Sequence, residues 1–430
     1  MTATIDTRKE PERSLRLSII EGSFASIQTA IVSGALLTGY ALALGANDFQ
    51  LGFLSGMGTL ATLGAVIGAQ QIGRRGRRKP MIVESLALGR SLWLLLCLIP
   101  FLAVPAPWKL ALFLAVVLVA GLAGQYADTC WTSWMADLVP ASIRGRYFSR
   151  RGAIVGAFGM AGAFGAGWLY DRFHAETSGI QSFLPFFIGA VVFGAISTLL
   201  LSRVWEPPLH GETPRPLLQT LRLPFQHPPF RRLLIVSGLW ALVTGVAVPF
   251  YQPQMIKNLH MPFTAIATYA VICGAVNLLT QSFWGHLIDR IGNKAILLIS
   301  VIGCTLLPLF WLFASADYLL PVWIDAVLTG LFGPGITLTF FNLVMHTAPR
   351  ENRTSYLAAH RIMTGLVAFL GALLGGWIAQ CLAGWHLAVA GLTLVNFHVL
   401  FILTFLGRLL LWPVIRKLDE DRLAPPSHPV

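Results

Sequence analysis

The sequence predicts an all-α membrane protein with twelve transmembrane helices in two pseudo-symmetric six-helix bundles. Three observations predict it. The first is composition: 55% of the 430 residues are hydrophobic and only 12% are charged, about half the charged fraction of a soluble domain. That balance excludes a disordered chain, a coiled coil and an ordinary cytosolic enzyme. The second is where the positive charges fall. The third is an internal repeat.

A membrane helix needs about 20 mostly apolar residues. Twelve such stretches lie near 17–45, 50–72, 81–103, 108–136, 148–170, 183–203, 233–255, 264–284, 295–315, 319–345, 355–381 and 386–412. The connections hold turn and breaker residues, among them Asn47-Asp48, Gly73, Pro105-Ala106-Pro107, Pro140, Pro349 and Gly384. The expected organisation is a tail over 1–16, a six-helix bundle over 17–203, a Pro-rich linker over 204–230, a second bundle over 231–413 and a tail over 414–430.

The net charge is +12, with 31 Lys and Arg. Of those 31, 27 fall in the termini, the even-numbered connections and the span ends beside them, three (Lys109, Arg172 and Lys257) on the opposite side, and Arg90 in the middle of a span. Cytoplasmic connections carry the excess of Lys and Arg, so both termini are expected in the cytoplasm, in a bacterial inner membrane. Scattered over seven short segments, this charge forms no basic domain, and nucleic acid is not an expected partner. The polar first sixteen residues do not read as a cleavable signal peptide. The five cysteines show no disulfide or metal spacing.

The repeat is visible residue by residue. Pro140, Arg144, Tyr147, Gly156, Gly162, Ala163, Gly167 and Trp168 recur at an offset of 209 as Pro349, Arg353, Tyr356, Gly365, Gly371, Ala372, Gly376 and Trp377. A weaker match joins Arg75-Gly76-Arg77-Arg78 to Ile291-Gly292-Asn293-Lys294 at an offset of 216. Duplicated six-helix halves with a substrate site between them are a transporter architecture. The glycine stripes of the fifth and eleventh spans read as close helix packing.

Between the eighth and ninth spans, Gly285-His286-Leu287-Ile288-Asp289-Arg290-Ile291-Gly292-Asn293-Lys294 resembles the signature loop of the major facilitator superfamily, Gly-x-Leu-x-Asp-Arg-x-Gly-x-Lys/Arg. The copy between the second and third spans is degenerate: Gly73 stands where the family has Asp, while Arg74, Gly76 and the basic residues after them survive. The Pro140-to-Arg144 connection and its repeat at Arg353 also resemble the family. The resemblance covers nearly the whole chain. It implies the major facilitator fold, alternating access, and a gating role for Gly285, Asp289, Arg290, Gly292, Lys294, Arg74, Gly76, Arg144 and Arg353. The physics agrees: glycines let helix ends approach, and Asp289 can pair with Arg290 or Lys294 or cap a helix. The family's drug-proton antiporters carry a Gly-Pro in the fifth span and an Arg in the fourth, and both are missing here.

An ionisable group in the bilayer costs at least about 2.5–3.5 kcal/mol on insertion scales. The short list of such groups therefore marks the expected coupling and substrate residues. Asp128 shares a helix face with Gln125 and Trp131. Arg90 sits at comparable depth, so Asp128 either pairs with it in a buried lock or faces the cavity as a proton carrier or substrate contact; in the second case Asp128→Asn abolishes coupled transport while leaving folded protein at normal levels. Glu21, at the start of the first span, is a coupling candidate. Asp325 is either an outer-vestibule contact or a solvated helix start. Asn277 and Gln281 lie four apart and can bond a polar substrate or a neighbouring helix.

These readings point to a secondary active transporter. There is no P-loop for ATP and no catalytic constellation, so neither enzyme activity nor a cofactor or metal is expected. The expected partners are a small neutral or amphipathic molecule, the lipid bilayer and protons, with the chain a monomer. The alternative is a non-transporting assembly or handling factor for a pigment, lipid or membrane complex on the same fold.

Overall fold

The computed structural model describes residues 9–174, 179–208, 225–349, 353–389 and 392–417. The tails over 1–8 and 418–430, most of the Pro-rich linker and the side chain of Arg353 lie outside them. Among the described residues, eleven helical segments are long and apolar enough to cross a membrane. They are span 1 (Pro11–Ala43), span 2 (Asp48–Ile72), span 3 (Arg78–Phe101), span 4 (Ala106–Leu138), span 5 (Arg144–His174) and span 6 (Ile180–Ser202), then span 7 (Pro228–Asn258), Phe263–Phe313, span 10 (Leu320–Thr347), span 11 (Ser355–Cys381) and span 12 (Asn396–Arg416). Phe263–Phe313 is two helices, spans 8 and 9, divided at Gly292, whose φ of 83° and ψ of 163° no helix can hold. That division brings the passes to twelve.

The ends of the helices follow the sequence. Spans 4, 7 and 10 carry proline in their first turn, where the missing N–H costs nothing. Gly45, Gly76 and Gly384 take positive φ in the turns that follow spans 1, 2 and 11. His227 caps span 7, its Nδ1 accepting from the Phe230 N–H at 3.4 Å. Burial pushes that imidazole below its ordinary pKa, which favours the neutral, accepting ring.

Two expectations need correction. The last span does not begin at 386. Residues His386–Val389 (β1) and Leu392–Val395 (β2) pair antiparallel, and the helix starts at Asn396. The two paired arms carry Val389, Thr393 and Val395, whose branched Cβ suits a strand. The first span is not continuous either. It breaks at Val32 and Ser33, where Gly34 takes a φ of 68°.

The chain divides into two compact units. The first comprises 1–46, 60–214 and the short segment 262–267. Its core includes Met81, Ile82, Cys130, Trp134 and Met135. Tyr40 packs edge-on against Phe187 and donates to the Leu96 carbonyl at 2.7 Å. The second comprises 47–59, 215–261 and 268–430. Phe230, Leu233, Leu297, Val301, Phe340 and Leu343 anchor its core. Each unit thus carries a short segment from the other half of the sequence.

Lipid tails are as apolar as leucine, so membrane helices gain from backbone contact rather than from hydrophobic burial. Added Cβ atoms show where that contact is made: one on Gly64 would run into the Leu122 carbonyl oxygen, and one on Gly371 into that of Leu242. The glycine stripe of span 5 is only partly used this way. Gly162 packs against Ile27, while Gly152, Gly156 and Gly165 face open space. Gly64→Val is expected to destabilise the protein by about 1–3 kcal/mol through overpacking. Gly152→Val should stay near wild type. Thermal midpoints in detergent measure both.

Candidate functional site

Interrupted helices at matching positions in two repeats point to a transporter's binding site. Span 1 breaks at Gly34. The 216-residue offset carries that position to Phe250, and span 7 turns to a tighter 3-10 geometry at Val248–Phe250, with Pro249 inside it. Both first helices of the repeats are therefore broken at equivalent points. The ionisable side chains of the two units can be read from these breaks.

In the first unit the centre is Glu21. Its side chain is buried, with the residue 4% exposed. Oε1 accepts from the Ser197 hydroxyl of span 6 at 2.8 Å. Oε2 lies 3.7 Å from Nη2 of Arg151 in span 5 and has no hydrogen-bond partner. Arg151 donates from Nε to the Ser18 carbonyl at 3.3 Å, and its guanidinium sits 4.3 Å from the Trp131 ring centroid. The Trp131 indole N–H is also buried without a partner. Gly22 makes the arrangement possible, because a Cβ there would meet Nη2 at 2.5 Å. A carboxylate and a guanidinium held this loosely, each beside an unsatisfied group, can part when the carboxylate takes a proton.

Arg90 and Asp128 are not locked together. Arg90 donates to the Gly194 carbonyl at 2.7 Å and to the Thr198 hydroxyl at 2.5 Å, both on span 6. Gly194 leaves the room, since a Cβ there would sit 2.9 Å from Arg90 Cδ. Asp128 is exposed, and Gln125 and Trp131 on its face are half-buried. Sequential spans at equal depth suggest the pair, but the long Arg90 side chain turns to the carbonyl that a glycine on span 6 lays bare.

The second unit carries the repeat's counterpart. The offsets map Glu21 to Ser237 and Arg151 to His360. Those residues meet, with His360 Nε2 2.9 Å from the Ser237 hydroxyl. The acid–arginine pair of the first unit thus becomes a serine–histidine pair in the second. The second unit holds buried carboxylates elsewhere, at Asp48 and Asp325. Asp325 is 2% exposed and accepts from the Tyr269 hydroxyl at 2.6 Å, so it is no solvated helix start. Arg408 donates to the Cys304 carbonyl and stacks 5.0 Å from the Trp240 ring centroid. Asn277 is half-buried and Gln281 exposed.

The signature loop between spans 8 and 9 is a break in the helix. Gly292 supplies the non-helical turn, and Asp289 and Arg290 are exposed just before it. Lys294 is half-buried. Beside it, Asn342 of span 10 donates to Asn293 at 3.1 Å. Gly285 needs no close approach, because a Cβ there would meet nothing within 4 Å. In the degenerate copy, Gly76 takes a φ of 66° and Arg74 is exposed. Arg78, which reads in the sequence as a topological charge, is fully buried instead. It bonds Asp137, the Ser133 carbonyl at 3.0 Å and the Pro207 carbonyl at 3.1 Å. Arg144 folds back to the Ala136 carbonyl at 2.8 Å, capping the end of span 4.

Sequence reasoning misses Arg151, His360, Tyr269 and Arg408 as interior groups. The Glu21-Gly22 dipeptide is the available signal for Arg151, because a glycine beside a membrane-buried acid makes room for a partner. Arg408 reads in the sequence as one of the topological charges at the C-terminal end. It lies inside span 12.

The family model of the Major Facilitator Superfamily matches residues 21–251 and 233–427. No curated protein sequence matches the chain. Among solved structures, a variant of the nucleoside transporter NupG superposes with a TM-score of 0.72 at 13% identity, covering 94% of this chain and 99% of that one. A bacterial homologue of the iron transporter ferroportin, inward-facing, gives 0.70 at 13% identity, with 94% and 98% covered. A D-xylose-proton symporter gives 0.63 at 16%, with 94% and 98% covered. At such identities the likeness is one of fold. Twelve passes, the repeated halves and a family match over nearly the whole chain lead to one conclusion: this protein belongs to the Major Facilitator Superfamily.

Proposed function

We propose that this chain is a secondary active transporter that moves a small neutral or amphipathic molecule by alternating access, driven by protons taken up at Glu21. The observation that carries the reading is a carboxylate, 4% exposed, in the first helix of the bundle, with one oxygen unpartnered and Arg151 at 3.7 Å. A buried acid is costly in a membrane and marks a proton or substrate path. Protonation of Glu21 removes its hold on Arg151, so occupancy by a proton and the pairing of spans 1 and 5 are linked. Asp128, exposed one turn from Trp131, is the acid through which protons reach Glu21. The few interior charges suit an uncharged cargo.

Everted vesicles holding a preset pH gradient test this, with nucleosides, pentoses and lipophilic amines added in turn. At least one class is expected to dissipate the gradient in vesicles carrying the protein. Asp128→Asn is expected to slow that dissipation without abolishing it. If no class moves protons and the protein co-purifies with a membrane complex, the handling-factor reading replaces this one.

A further inference from the structure

The connection between spans 11 and 12 differs in composition from the others on its side of the chain. No Asp, Glu, Lys or Arg lies between Arg361 and Arg408. The other odd-numbered connections each hold or adjoin a charge, at Asp48, Lys109, Arg172, Lys257 and Asp317. In place of a solvated loop, this connection carries the antiparallel pair of β1 and β2, with Trp385 just before it.

The register sorts the side chains of that pair. Leu387 is opposite Leu394 and Val389 opposite Leu392, so these four share one face of the ribbon. His386 is opposite Val395 and Ala388 opposite Thr393, on the other face. One face is wholly aliphatic, and the other holds both polar side chains of the ribbon, His386 and Thr393. The protein leaves much of the aliphatic face uncovered: Leu387 is 45% exposed and Val389 50%. Trp385 is exposed as well, and β2 lies against the end of span 9, where Phe313 is exposed too.

Two physical requirements place this ribbon. The outer edges of a two-stranded pair leave backbone N–H and C=O groups unpaired, and such groups are not tolerated in hydrocarbon. A face of four aliphatic side chains is equally ill-suited to bulk water. The headgroup boundary satisfies both. Chain geometry puts the ribbon there: span 12 starts directly after β2, and its 21 residues at about 1.5 Å each cover about 31 Å, the thickness of the hydrocarbon core. The exposed apolar surface continues up to it along Leu374 and Trp377 of span 11 and Leu403 and Leu406 of span 12. A second copy of the chain is a poor match, because a few aliphatic side chains fall far short of the about 800 Å² per partner of a stable interface.

We infer that the ribbon of β1 and β2 is a lipid-docking element that lies flat at the edge of the leaflet, with Leu387, Val389, Leu392 and Leu394 on the acyl chains and His386 and Thr393 toward water. It is the strand counterpart of an amphipathic helix lying in the interface. Trp385 anchors its base at the headgroup level. Without charge, the ribbon meets the acyl and glycerol region and does not select an anionic headgroup. Docking fixes the depth of the adjoining ends of spans 11 and 12. The inference rests on the membrane fold alone and is independent of cargo and coupling.

Photo-crosslinking of the full-length protein in proteoliposomes tests it. A benzophenone amino acid is placed at Leu387, Val389 or Thr393, or at Leu410, an exposed position within span 12 that serves as the lipid-facing control. Intact-mass analysis identifies what each position captures, in phosphatidylcholine alone and in phosphatidylcholine mixed with phosphatidylglycerol. Phospholipid adducts are expected at Leu387 and Val389 with at least about a third of the Leu410 yield, and at Thr393 with at most about a tenth. Total lipid yields should be the same in both membranes. Capture of a second copy at Leu387 and Val389 would make the ribbon a contact between chains and overturn the inference. Absence of adducts at both while Leu410 reacts would put the face in water, with the same consequence. Equal lipid yields at Leu387 and Thr393, or a yield that depends on the anionic lipid, would contradict it too.

Discussion

Glu21→Gln is expected to abolish gradient-driven flux, down to the level of vesicles without protein, while leaving folding and passive exchange of cargo intact. The amide matches the carboxylate in size. Its oxygen can still accept from Ser197, which holds Oε1 at 2.8 Å in the native protein. What it removes is the titrating charge opposite Arg151. A variant frozen in the protonated form can carry cargo down its own gradient but cannot exchange a proton. Expression, detergent melting and counterflow should therefore stay near wild type, while dissipation of a pH gradient disappears. Loss of counterflow together with coupling would make Glu21 a structural or cargo-binding group. Unchanged coupling would take Glu21 off the proton path and leave the coupling role to another acid.

The second large effect is on stability. Arg151→Gln takes from the buried Glu21 its nearest cation, with Arg90 the second cation that acts on it, and breaking a buried ion pair from one side costs about 3–5 kcal/mol. The loss extends beyond charge, because Arg151 also packs over Trp131 and bonds the Ser18 carbonyl. The double variant Glu21→Gln/Arg151→Gln is expected to recover part of that loss, since the uncompensated carboxylate is gone while Arg90 keeps its bonds to Gly194 and Thr198. Coupling should not return. A melt series on the four proteins of this cycle gives the interaction directly. A double variant as unstable as Arg151→Gln would show that packing, not charge, sets the cost.

Much of the fold is legible in the amino-acid sequence. Hydropathy and the distribution of Lys and Arg suffice for the twelve passes, because a lipid-crossing chain must satisfy its backbone in helices. The repeat from Pro140 to Trp168 predicts paired halves, and the same offset places Arg151 over His360. Glu21 and Asp325 stand out as acids in apolar runs. Their partners do not, because periodicity assigns a residue to a helix face but not to a neighbour. Arg90 shows this: equal depth suggests Asp128, and the glycine at 194 decides for span 6. Arg151, adjacent to Arg150 at the start of span 5, reads as one more topological charge. Only its proximity to Gly22 turns it inward.

The central claim is that a proton on Glu21 is exchanged as cargo moves. Charge displacement on a solid-supported membrane measures that most directly. Proteoliposomes of the wild-type protein and of Glu21→Gln would receive the same concentration jump of a cargo that dissipates the gradient. The wild type is predicted to give a transient current that grows with an inward pH gradient, and Glu21→Gln none. A current of equal size in both would contradict the account.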